Sequence, residues 1–206
     1  MSTLTECRSC RRLTANLDRL RAIHPDWHNK PVPSIGPADA PLLILGLAPG
    51  RAGANRTGIP FVGDKSSQWL CDRLQSAGCL DASGRPLNVR ISNAVKCLPP
   101  GNRPTIREIK RCVKKWTATE FAQPNVVLAL GSIAHDAVLR AHDLPLSQHR
   151  FGHGKKHQLH GIALFDSYHP SPLNTQTGRL TVADFDRVLN SAISLASDIE
   201  RSSKTE

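Results

Sequence analysis

Apolar residues fall into two rhythms along this chain, short unbroken runs and helical stripes, and the two alternate. Pro41 to Leu45, Asn125 to Leu130 and Ile162 to Tyr168 are short runs rich in Val, Ile and Leu, the pattern of strands covered on both faces, and Val89 to Val95 alternates well enough for a further strand. Between them lie stretches with helical spacing. Ser66 to Ala77 brings Trp69, Leu70, Leu74 and Ala77 to one face, and Gly78 is placed to stop the helix. Thr105 and Glu108 form a Thr-x-x-Glu capping box ahead of an inward stripe of Ile106, Ile109, Val113 and Trp116. Gly131 and Ser132 open a helix through Arg140, and Thr181 opens a last amphipathic one carrying Val182, Phe185, Val188, Leu189 and Ile193. A basic piece from Arg11 to Arg21 also reads as helix, followed by the Pro-rich connector HPDWHNKPVPSIGPADAP. Leu144 to His160 is polar, basic and His-rich, with no strong period.

Strands that alternate with helices predict an α/β fold, here a three-layer α/β/α sandwich around a central four-stranded parallel sheet. A chain of 206 residues suits one core, so a single domain over 1–206 is expected, with residues 1–40 as an N-terminal extension. The loops 46–64, 96–103, 131–132 and 168–179 each follow a strand. They therefore gather at the carboxyl edge of the sheet, where such folds bind ligands.

The first of these loops, GLAPGRAGANRTGIPFVGD, is the most unusual stretch. Gly46, Gly50, Gly53, Gly58 and Gly63 let the backbone turn sharply and approach a ligand, while Arg51, Asn55, Arg56, Phe61 and Asp64 bring charge, hydrogen bonds and an aromatic face. It has neither the ending of a triphosphate-binding loop nor GxGxxG spacing, so both nucleotide readings fail.

A formal net charge of +10 and a pI near 9.8 point to a polyanionic partner. No basic amphipathic helix with an aromatic face and no apolar run of bilayer length is evident, and MSTLTECRSCRRL lacks a signal-peptide core. The expectation is no membrane and a cytoplasmic location. There, six cysteines are metal ligands or core thiols rather than disulfides. Cys7 and Cys10 form a CxxC unit, and Cys97 and Cys112 flank a Pro-rich loop; four thiolates suit tetrahedral zinc or an iron–sulfur cluster, and spacing does not decide between them. Cys71 and Cys79 read as core residues.

GLAPGRAGANRTGIPFVGD, NAVKCLPPGNRPT and YHPSPLNTQTGRLT, with the N-terminal CxxC, resemble the motifs of the family 5 (UDGb-type) uracil-DNA glycosylases from Pro41 to Thr181. The resemblance implies a [4Fe–4S] cluster on Cys7, Cys10, Cys97 and Cys112, and action as a monomer on uracil in DNA, with other deaminated bases such as hypoxanthine as further substrates. It also implies site roles. Phe61 would be the stacking wall for a flipped base, in a pocket with Gly46, Ala48 and Asn55. The start of the loop, Gly46 to Pro49, carries no carboxylate, so Asp64 would position or activate water, although it is also placed to cap the following helix. Asn102 would orient water or bond the base, and His169 would donate to the O2 of the departing base. Leu173 would be a wedge in the vacated stack, and Arg51, Arg56, Arg103 and Arg179 would contact phosphates.

Two other readings compete. A non-catalytic nucleic-acid-binding module with a structural zinc would keep the charge and the cysteines. A metal-dependent hydrolase built on His149, His153, His157 and His160 lacks a carboxylate in that cluster; those histidines read better as a solvated, DNA-facing segment.

Overall fold

The structure is a computed structural model describing residues 3–121 and 124–203. In chain order its main elements are α1 Arg11–Ile23, β1 Leu42–Gly46, α2 Ala54–Thr57, α3 Lys65–Ser76, β2 Val89–Asn93, α4 Ile106–Cys112, β3 Val126–Leu130, α5 Ser132–Ala141, β4 Lys156–Gln158, β5 Ala163–Ser167, α6 Pro172–Gln176 and α7 Val182–Ser203. The sheet has five strands in the order β2-β1-β3-β5-β4, the first four parallel and β4 antiparallel to β5. The expected four parallel strands are present, and β4 corrects the count. At three residues it is too short to display a period, and its exposed Lys156 suits an edge that must not recruit another strand.

Every residue of β1, β3 and β5 is buried, which is why these strands read as unbroken apolar runs. Alternate side chains feed two cores. Leu43, Leu45, Val127, Ala129 and Leu164 pack with Leu13 and Leu17 of α1, Ile109 of α4 and Val138 of α5. Leu42, Ile44, Leu128, Leu130 and Phe165 pack with Leu70 and Leu74 of α3 and with Phe185 and Leu189 of α7. The sheet is thus sandwiched between helices, as expected from the element pattern. Thr105 and Glu108 form the expected capping box, at 3.2 and 2.8 Å, and Glu108 also binds Arg12, tying α1 to the start of α4. Ile106, however, is exposed rather than inward, and beyond Cys112 the helix widens into a π turn over Val113–Thr117.

The His-rich segment departs furthest from expectation. His135 and Asp166 are fully buried and lie 2.7 Å apart through Nδ1 and Oδ1, while His157 Nε2 and the Gly152 amide donate to Asp166 Oδ2. His135 Nε2 faces the His149 carbonyl at 2.7 Å. Both ring nitrogens of His135 therefore meet acceptors, and the ring can satisfy both only as an imidazolium. Burial opposes that charge, but Asp166 and the His149 carbonyl raise the His135 pKa above the ordinary value. A carboxylate does join this cluster, contrary to the sequence reading, and its three ligand-type atoms lie within 4.8 Å of one another. Around His135 and Asp166 the segment packs as a brace, which His153 extends by stacking on Tyr168 at 5.0 Å, while Arg150, Lys155, Lys156 and His160 stay exposed, as a solvated segment requires.

Register aligns Gly46 with Asn93 and Leu130 with Ser167, so the carboxyl ends of the parallel strands share one edge. The chain leaves β1 for β2 on one side, and β3 lies on the other. The crevice above this reversal is where a parallel α/β sheet offers a site.

A candidate active site and a cysteine cluster

Above that edge lies a cleft of about 200 Å³ bordered by Ala48, Phe61, Asp64, Asn93, Asn102 and His169. Three connections meet there, those after β1, β2 and β5; Gly131 and Ser132, expected to join them, do not border it. Asp64 is the N-cap of α3, where its Oδ1 accepts from the Ser67 amide at 2.9 Å and the Ser67 hydroxyl at 2.7 Å. Its Oδ2 accepts no hydrogen bond from any described residue. It sits in a niche made by two glycines: a Cβ on Gly50 would lie 2.6 Å from this oxygen, and one on Gly53 2.2 Å. The cap and a free carboxylate oxygen thus coexist in one side chain.

Phe61 is buried and holds a left-handed backbone, φ 53°, which costs a non-glycine residue about 1–2 kcal/mol. The Cys71 thiol donates to its carbonyl at 3.5 Å. Gly46 makes room for the ring, since a Cβ there would lie 2.7 Å from Phe61 Cζ and 2.5 Å from Asn93 Oδ1. Gly46 is therefore an opening rather than a contact. Across the cleft the His169 ring centroid lies 6.4 Å from that of Phe61. No described residue bonds its ring nitrogens, and Asn174 Nδ2 and the Ser171 amide fix its carbonyl at 2.8 Å each. Enclosure by protein lowers the His169 pKa, only partly opposed by Asp64, and keeps the ring neutral.

Asn55 is placed elsewhere. Its side chain is fully buried and donates to Asn29 Oδ1 at 2.8 Å, joining the loop to the connector after α1, and it does not border the cleft. Arg56 also serves the loop, donating to the Ala52 and Gly63 carbonyls at 2.8 and 3.2 Å. Arg51 and Arg103 are exposed, Arg179 lies 4.3 Å over the Tyr168 ring, and Leu173 of α6 is 72 % exposed.

Cys7, Cys10, Cys97 and Cys112 converge on one small cavity beneath Trp116. Trp116 Nε1 donates to Cys7 Sγ and the Lys96 amide to Cys112 Sγ, each at 3.3 Å. Burial pushes the Cys97 thiol up strongly and the Cys112 thiol up to about 11, while Arg111 and Lys115 bring positive charge to the Cys10 and Cys7 side. Tetrahedral zinc with Zn–S bonds of about 2.3 Å needs sulfurs about 3.8 Å apart. The four thiols around this cavity are the donor set of either such a zinc site or an iron–sulfur cluster. Cys71 and Cys79 pack in the opposite core, as read from sequence.

Residues 33–192 match the model of the uracil DNA glycosylase superfamily. A type-5 uracil-DNA glycosylase of Thermus thermophilus is 42 % identical over 216 aligned positions, covering 95 % of this chain and 96 % of its own. The chain belongs to the type-5 uracil-DNA glycosylase family. Type-5 uracil-DNA glycosylases of Pyrobaculum aerophilum and Mycobacterium leprae are each 37 % identical, covering 93 % and 94 % of this chain and 90 % and 93 % of their own. Within this type-5 chain the cleft holds one polar residue that sequence reasoning passed over. Asn93 ends β2, is 4 % exposed, borders the cleft, and its side-chain amide is engaged by no described residue. The available signal was an amide side chain at the carboxyl end of a parallel strand, where such folds bind ligands.

Proposed function

We propose that this chain is a monofunctional uracil-DNA glycosylase of base excision repair. It acts as a single domain and a monomer on DNA carrying uracil and other deaminated bases, hypoxanthine among them. The observation that carries this reading is the free Asp64 Oδ2 and the unpaired His169 ring on one cleft with Phe61, in a chain of this family.

Breaking the bond between base and deoxyribose leaves positive charge on the sugar and negative charge on the base. A base in duplex DNA must first leave the stack. The flipped base lies against Phe61, and the Asn93 amide reads its hydrogen-bonding edge. Neutral His169 donates a hydrogen bond to O2 as negative charge grows there. Asp64 Oδ2 orients water at C1′ and accepts its proton as the new C–O bond forms, with Asn102 beside it. Leu173 fills the gap in the stack, and Arg51, Arg103 and Arg179 face phosphates. Asn55 is left to brace the loop, and Arg56 joins loop bracing to phosphate attraction.

Cys7, Cys10, Cys97 and Cys112 would hold a [4Fe–4S] cluster, which supplies a crosslink between residues 1–40 and the domain. Buried thiols beside Arg111 and Lys115 suit that donor set.

A panel of oligonucleotides, each with one altered base, tests the proposal. Abasic sites form at the uracil and hypoxanthine positions; release from none of them would leave a nucleic-acid-binding module.

A further inference from the structure

A second concavity adjoins the cleft. It is a groove of about 480 Å³ between α1 and the Leu98–Asn102 loop, bordered by Asn16, Arg19, Gly50, Arg51, Pro100 and Asn102. Gly50 and Asn102 border both the groove and the cleft, so the two are continuous. Its wall is fixed in place. Asn16 Nδ2 donates to the Leu98 carbonyl at 3.1 Å, Arg12 Nη2 to the Arg103 carbonyl at 2.9 Å, and the cysteine cluster lies on the same side of α1.

Carboxylates neutralise some of the nearby arginines and not others. Arg8 and Arg21 are paired with Asp18, and Arg12 with Glu108. The two arginines that border the groove are not neutralised. Arg19 donates to Asn16 Oδ1 at 3.2 Å, Arg51 lies 3.5 Å from His24 Nε2, and neither meets a carboxylate among the described residues. Two uncompensated guanidinium groups along a fixed groove that opens into a base-sized cleft complement a chain of phosphates.

We propose that this groove seats the phosphodiester backbone of the damaged strand beside the flipped nucleotide, with Arg19 and Arg51 each facing a phosphate. It rests on the glycosylase reading for the identity of the strand. The N-terminal extension is then a wall of the DNA interface as well as an anchored appendage, and α1 reads backbone rather than bases.

The test is binding rather than excision, so that the two readings can fail separately. Affinity is measured by fluorescence anisotropy over a range of salt, with a duplex carrying a tetrahydrofuran abasic analogue that cannot be cleaved. Arg19→Ala weakens binding roughly tenfold at low salt, and the slope of log affinity against log salt falls by about 0.9. Arg19→Lys retains most of both. Arg85→Ala, in the turn before β2 at the opposite edge of the sheet, changes neither. Wild-type affinity and salt slope in a folded Arg19→Ala protein would overturn the proposal whether or not uracil is excised. Loss of affinity and slope in a protein that excises nothing would uphold the groove and overturn the glycosylase reading.

Discussion

At Asp64 the two carboxylate oxygens have different surroundings, so a helix cap and an unengaged oxygen coexist in one side chain. Oδ1 caps α3 while Oδ2 stays free because Gly50 and Gly53 present no Cβ to it. The cap was legible from Asp64 standing before a helix; the niche needed the fold. Asn55 was misread because its partner, Asn29, lies 26 residues earlier, a contact no local pattern announces. Asn93 was missed because a strand was read for its apolar rhythm. Its role is tested by Asn93→Ala, which lowers kcat/KM on uracil by about 10²-fold through loss of the edge contact; an unchanged value would move base reading elsewhere. For His169, enclosure sets the sign of the shift. NMR titration of its ring gives a pKa below the ordinary value of about 6.5, and a value above it would contradict the neutral donor.

Elements with a long, regular pattern were readable from sequence, and the short ones were not. The four parallel strands and the helices α3, α4, α5 and α7 follow from burial on both faces of a sheet and on one face of a helix. β4 was hidden because its three residues are organised by Asp166 on the neighbouring strand rather than by their own period. This brace makes a pH prediction. His135 has a raised pKa in the folded state, so its stabilisation is full below the unfolded value of about 6.5 and is lost as pH rises through the folded one. The difference in thermal midpoint between wild type and His135→Gln therefore shrinks from acid toward alkaline pH. Parallel curves across that range would show that the ring is not charged in the fold.

For the whole molecule, the strand order places the carboxyl ends of β1, β2, β3 and β5 at one edge, and the loops beyond β1, β2 and β5 complete the cleft. Cys7, Cys10, Cys97 and Cys112 gather around a separate cavity with Leu13 of α1 and Trp116. Anaerobically prepared protein should be brown with broad visible absorbance and contain iron. Oxidative loss of that iron should lower the thermal midpoint and expose residues 1–40 to protease; colourless protein containing zinc would contradict the cluster assignment. The convergence of cleft residues was foreseeable from loop order. The most direct test of the whole account is the single-turnover rate of uracil release from duplex DNA by wild type and Asp64→Asn. The amide keeps an oxygen for the α3 cap but cannot take a proton from water. The account predicts release by wild type and a fall of about 10²–10⁴-fold in Asp64→Asn with DNA affinity nearly intact. Equal rates in the two proteins would contradict it.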